Sequence, residues 1–243
     1  MRLVAIIQAR MGSTRLPGKV LAGIEGRPML EHVVQRARHI AGVSEVVVAT
    51  TTSPRDEPVV TSCDRIGAPV FRGSENDVLD RYRRACQIFH ADAVVRITSD
   101  CPLIDPGESG RVVNVFVGQA PDLAANDLIP SYPNGLGTEV MTAAALETAW
   151  RESKEPYERQ HVAPYIYQHP NRFHLVNVAA PSDYSHLRWT VDTPQDLDFV
   201  RAVYARLGRN GIFDWREVLD LLGTEPALLE LNGDIREKAL EEC

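Results

Sequence analysis

The chain has 243 residues, of which 44% are hydrophobic, and shows no internal repeat or low-complexity tract, so it is long and apolar enough for one folded α/β domain with a substantial core. A formal net charge of −7 argues against nonspecific binding to nucleic acid or an anionic membrane, so a basic cluster here is a local feature suited to a small anion. The N-terminal apolar run is short, with no signal cleavage site or membrane-spanning length after it, and Cys63, Cys86, Cys101 and Cys243 form no C-x-x-C pair; a cytoplasmic protein with reduced thiols is expected.

Leu3–Ile7 reads as a buried strand that empties into Gln8-Ala9-Arg10-Met11-Gly12-Ser13-Thr14-Arg15-Leu16-Pro17-Gly18-Lys19. Two glycines let this loop turn and approach a ligand closely, and its N–H groups can form an anion-binding concavity. Arg10, Arg15 and Lys19 add three cations, a set better matched to polyphosphate than to one carboxylate. Five residues separate Gly12 from Gly18 and Val20 follows Lys19, which excludes a P-loop, and the absence of G-x-G-x-x-G excludes the dinucleotide fingerprint. A solvated basic loop is the alternative.

Pro28–Ile40 is expected to be a helix, Glu45–Thr51 a buried strand, Asp56–Ile66 a helix and Pro69–Phe71 a short strand, from apolar periodicity and β-branched content. Asp77–Phe89 carries Val78, Leu79, Tyr82, Ala85, Cys86 and Phe89 on one helical face, and Ala93–Thr98 is a further strand. The alternation predicts a mostly parallel, twisted sheet flanked by helices, with ligand at the carboxyl ends of its strands. The second half is less regular. Residues 121–133 read as loop, Thr142–Arg151 and Tyr157–Tyr167 as helices, Phe173–Val178 and Trp189–Val191 as strands, and Pro194–Leu207 as an amphipathic helix. One domain spans 1–243, with a small acceptor-binding or dimerisation subdomain expected over about 130–185.

Polyphosphate commonly binds with Mg²⁺ held by one or two carboxylates. Asp100, in Thr98-Ser99-Asp100-Cys101-Pro102, and Asp192, in Thr190-Val191-Asp192-Thr193-Pro194, each follow a predicted strand. Both have structural readings as well: Asp100 as a turn former, and Asp192 or Thr193 as the cap of the helix that begins at Pro194. Asp105 and Asp196 read more simply as a cap and a helix-dipole partner.

These segments, with Gly26-Arg27-Pro28-Met29-Leu30, resemble the cytidylyltransferases that make CMP-activated acidic sugars, and most of all the spore-coat polysaccharide biosynthesis protein F group. CMP-ketodeoxyoctonate and CMP-acylneuraminate synthetases are more distant relatives. The resemblance runs to about Leu207 and implies a Rossmann-like, nucleotide-diphospho-sugar transferase-like fold, a homodimer, and Mg²⁺-dependent transfer of CMP from CTP to an acidic sugar. It implies that Arg10, Arg15, Lys19 and Asp100 are catalytic and that Asp100 and Asp192 hold Mg²⁺. Gln8, Ala9, Met11, Gly12 and Ser99 would complete the triphosphate site, and Thr51, Thr52, Arg72, Gly73, Ser74 and Asp77 would lie under ribose and cytosine. Ser74 and Asp77 also read as caps of the helix Asp77–Phe89.

Tyr132-Pro133-Asn134-Gly135-Leu136-Gly137-Thr138-Glu139-Val140 resembles the family's sugar-binding turn, with Glu139 accepting from sugar hydroxyls. The family pattern has an acidic residue near position 137, where this chain has Gly137, so the turn does not name the sugar. Glu158-Arg159-Gln160-His161-Val162 also looks like a family segment, with Arg159 and His161 as contacts to an acceptor carboxylate; His161 reads equally as a structural histidine.

Overall fold

The computed structural model describes residues 1–208 and 211–236. Strand β1 (Leu3–Gln8) lies inside the sheet, between the strands Glu45–Thr51 and Ala93–Thr98, and its apolar run is continuous because both faces are buried. Leu3, Ala5 and Ile7 face one helical layer, while Val4 and Ile6 face the other. A 3-10 turn (Lys19–Leu21) and a two-stranded antiparallel ribbon, β2 (Gly23–Ile24) with β3 (Arg27–Pro28), lead into helix α1 (Met29–Ala37).

Strand β4 (Glu45–Thr51), helix α2 (Glu57–Arg65), strand β5 (Val70–Gly73), helix α3 (Val78–Ile88) and strand β6 (Ala93–Thr98) follow the expected alternation within one or two residues. Helix α4 (Pro106–Gln119), strands β7 (Leu123–Ala125) and β8 (Glu139–Thr142), and helix α5 (Ala143–Glu152) come next. The expected single helix Tyr157–Tyr167 is instead two, α6 (Pro156–His161) and α7 (Pro164–Tyr167), because Val162 between them takes φ 75°. Strand β9 (Leu175–Asn177) and helices α8 (Pro194–Leu207) and α9 (Trp215–Thr224) complete the described elements.

The seven-stranded sheet has the order β5-β4-β1-β6-β8-β7-β9. Only β8 runs against the rest, pairing antiparallel with both β6 and β7. The sequence reading is corrected at several points. β7 lies in a stretch read as loop, β8 begins inside the predicted sugar-binding turn, and both β8 and β9 of the segment 130–185 pair within the main sheet.

Residues 189–191 are not a sheet strand. Their main chain instead donates to two loops, Trp189 N to Asn134 O at 2.6 Å and Val191 N to Asp100 O at 2.8 Å. Cys63, Cys86 and Cys101 are buried free thiols, and Cys243 lies outside the described residues. No helix among the described residues is long and apolar enough to cross a membrane.

A third apolar cluster ties α8 and α9 to the loops around Tyr132, Leu136 and Trp189. Glu108 of α4 braces it, accepting from Tyr132 Oη at 2.6 Å, Trp215 Nε1 at 3.1 Å and Arg111 Nε at 2.9 Å. Burial favours the neutral acid, but these donors and the Arg111 charge outweigh it and lower the Glu108 pKa. A carboxylate lowered on folding stabilises above its ordinary range, and that contribution is lost as pH falls through the folded-state value. Acidification from pH 6 to 3 is therefore expected to lower the thermal midpoint of the native chain more than that of Glu108→Gln, as read by circular dichroism. Parallel loss in both would contradict the assignment.

Candidate active site

The carboxyl ends of β1 and β6 open into a cleft of about 1210 Å³. The 8–19 loop forms one wall. It is closed on itself, since Ser13 N and Gly18 N both donate to Met11 O at 2.9 and 3.0 Å, with Gly18 at φ 74°, a conformation glycine adopts without strain. Asp56, 2% exposed, anchors the loop from below by accepting from Met11 N at 2.6 Å and from the Thr51 hydroxyl.

Lys19 is the centre of the site. Its ammonium, largely buried, donates to Asp100 Oδ2 at 2.9 Å, Asp192 Oδ1 at 2.9 Å and Val191 O at 2.7 Å. Burial opposes the Lys19 charge, but the two carboxylates outweigh it and raise its pKa. The Asp100 carboxyl is lowered, because the Lys19 charge and the hydrogen bonds from Thr98 and Lys19 overcome its burial. Arg15 reaches the same Asp192 Oδ1 at 3.0 Å. Residues 172 and 173 positions downstream of Lys19 thus meet it at one point.

The capping question is settled by geometry. Thr193 is the N-cap of α8, its hydroxyl accepting from Asp196 N at 3.2 Å, and the Asp196 carboxylate accepts in return from Thr193 N at 2.9 Å. Asp192 is therefore free of capping duty. Arg188 holds it from behind, donating to Asp192 Oδ2 and to the fully buried Asp196 Oδ1, both at 2.9 Å. Asp105 caps α4 as expected, accepting from Glu108 N at 2.8 Å.

Gln8, Ala9, Arg10, Gly12 and Ser99 also line the cleft, and Arg10 Nη1 approaches Glu75 O at 3.5 Å. Met11 turns instead toward the core. The structure does not bring the 51–57 and 72–77 loops to the cleft wall. Thr51 is buried on Asp56, Thr52 N pairs with Gly73 O, and Arg72 is engaged with Glu57 Oε2 at 2.7 Å and Thr51 O at 3.1 Å. Ser74 Oγ accepts from Asp77 N, and Asp77 caps α3. Gly73 has a packing reason, since a Cβ there would meet Arg81 Cγ at 2.9 Å.

Arg159 is a brace and not part of the cleft wall. It donates to Trp150 O at 2.5 Å and pairs with Asp77 at 2.7 Å. Glu139 and His161 do line the cleft. Glu139 is paired with Arg96 at 2.8 Å, while His161 Nε2 is buried with no hydrogen-bond partner, and burial together with the Arg96 charge lowers the His161 pKa. Sequence reasoning missed Arg96 and Arg188, which hold Glu139 and Asp192. Only Arg96 carried a local signal, as a charge inside the apolar strand Ala93–Thr98.

Among the described residues no group of three or more His, Cys, Asp or Glu could enclose a metal. Two carboxylates on one cation, open to a roomy polar cleft, instead fit Mg²⁺ that takes its remaining oxygens from water and substrate phosphates.

A mostly parallel α/β sheet with a cationic loop and paired carboxylates at its carboxyl edge is the arrangement expected of a nucleotidyltransferase. The chain matches the model of the cytidylyltransferase family over residues 4–223, and it belongs to that family as a CTP-dependent nucleotidyltransferase. Spore coat polysaccharide biosynthesis protein SpsF of Bacillus subtilis is 32% identical, over 92% of this chain and 95% of that one. The 3-deoxy-manno-octulosonate cytidylyltransferase of Trichlorobacter lovleyi is 36% identical over 49% of this chain and 46% of its own length. The structure of a cytidylyltransferase from Leptospira borgpetersenii serovar Hardjo-bovis superposes with a TM-score of 0.91 at 28% identity, covering 98% of this chain and all of that one.

Proposed function

We propose that this cytidylyltransferase moves CMP from CTP to a hydroxyl of an acidic sugar, with Mg²⁺ and release of pyrophosphate, in surface polysaccharide or glycoconjugate synthesis. The observation that carries the reading is the meeting of Arg15, Lys19, Asp100 and Asp192, from three distant segments, in one cleft that continues to Glu139 and His161. The acceptor hydroxyl attacks the α-phosphorus in line, so no covalent enzyme intermediate is needed. Arg10, Arg15 and Lys19 orient the triphosphate and offset charge as it develops on the phosphoryl oxygens and the leaving pyrophosphate. Asp100 and Asp192 would hold Mg²⁺, which supplies Lewis-acid polarisation and a template for the phosphates.

Arg15→Ala removes a cation that is about one-third exposed and is expected to weaken CTP binding about tenfold, with the acceptor KM unmoved, by calorimetry and initial rates. Unchanged CTP affinity would contradict the loop assignment. The reading as a whole is tested by pyrophosphate release with 3-deoxy-manno-octulosonate, an acylneuraminate or another nonulosonate, in each of four nucleoside triphosphates, with Mg²⁺ or excess chelator. Release that needs an acidic sugar, CTP and Mg²⁺ together supports it. Equal release with neutral sugars, or undiminished release in chelator, would overturn it.

A further inference from the structure

The acceptor end of the cleft holds a carboxylate that no other side chain satisfies. Asp127 follows the carboxyl end of β7, is exposed to the cleft, and receives no hydrogen bond or ion pair from any other described residue. Its place depends on Gly137. A Cβ at that position would lie 2.6 Å from Asp127 Oδ2 and 3.5 Å from its Cγ, yet only 3.9 Å from its Cβ. The first distance is impossible and the last is ordinary contact. Asp127 therefore fills the space a side chain at 137 would take, and a side chain there would turn the Asp127 carboxylate aside.

Charged and polar groups from three elements lie near this carboxylate, Glu139 of β8, Arg96 of β6 and Tyr167 of α7, and His161 of α6 lines the same cleft. Arg96 is already taken up by Glu139 at 2.8 Å. His161 Nε2 is buried without a partner, and Tyr167 lines the same wall.

We propose that Asp127 is the specificity residue of the acceptor half-site, accepting hydrogen bonds from hydroxyl or amino groups of the sugar and turning the sugar's own carboxylate away from this end. The inference rests on the acidic-sugar reading above. Gly137 has no positive φ, so its backbone accepts a side chain once Asp127 is shortened.

The test uses the full chain and whichever acidic sugar of the panel native protein converts fastest. Asp127→Ala is expected to raise the acceptor KM at least tenfold, with CTP KM and thermal midpoint unchanged. Asp127→Ala combined with Gly137→Asp is expected to bring the acceptor KM back to within a few-fold of native, a recovery that a merely structural role for Asp127 would not produce. An acceptor KM unmoved by Asp127→Ala would overturn the inference, as would a double variant no better than the single one. Native protein that converts no acidic sugar would overturn the acidic-sugar reading itself, and this inference with it.

Discussion

Asp100→Asn is expected to leave the chain folded and to slow CMP transfer about 10³-fold, or about 4 kcal/mol of transition-state stabilisation. Asn keeps the shape of Asp100 and can still accept from Lys19, so the loops that meet at Val191 N and Asp100 O stay in place. What is lost is one of the two negative charges on which a Mg²⁺ ion of this kind depends. The loss should fall on kcat, and raising Mg²⁺ should recover only part of it. Near-native turnover at saturating Mg²⁺ would contradict the role of Asp100. A variant that fails to fold would show the carboxylate to be structural, so circular dichroism accompanies the kinetics.

Lys19→Met is expected to cost both stability and nucleotide binding. Methionine fills the stem's volume but leaves Asp100 without its ion pair, while Asp192 keeps Arg15 and Arg188. Breaking a buried pair by removing one partner costs about 3 kcal/mol at the low end of its range, a drop of about 10 °C in thermal midpoint for a chain of this size. CTP binding should weaken about a hundredfold through loss of the cation that joins the loop to both carboxylates. The variant also separates two roles. With the ammonium gone, Asp100 is unpaired while Asp192 still holds Arg15 and Arg188, so millimolar Mn²⁺ should raise the variant's midpoint more than the native one. Equal response of both proteins would argue against Asp100 and Asp192 as a metal pair.

The first half of the fold was legible because its strands are buried on both faces and its helices carry one apolar stripe. Leu3–Gln8, Glu45–Thr51 and Ala93–Thr98 lie where their apolar runs predict. Helix α4 escaped because Gly107, Gly110 and a β-branched run through Val117 imitate neither period cleanly. β8 escaped because a four-residue strand opening on a charged residue looks like a turn until its partners are known. The break at Val162 had one local sign, Pro164, which starts the next helix and cannot continue the last.

At the site, the Arg10–Lys19 loop and both aspartates were readable from residue type and from their position after strands. The partnership of Lys19 with Asp100 and Asp192 was not, since it spans 81 and 173 residues. Arg96 meets Glu139 only because β8 runs antiparallel to β6 and sets the two opposite each other. Asp127 was equally hidden, since its meaning comes from the empty space above Gly137. Arg159 misled because a cation in a family-like segment says nothing of its direction, and here it turns to Asp77.

The most direct test of the account is to incubate the native chain with CTP, Mg²⁺ and the panel of acidic sugars and to weigh the products by mass spectrometry while pyrophosphate is counted. One CMP-sugar conjugate formed mole for mole with pyrophosphate is the predicted result. Pyrophosphate accompanied by free CMP, or CTP recovered intact with every acidic sugar, would contradict it.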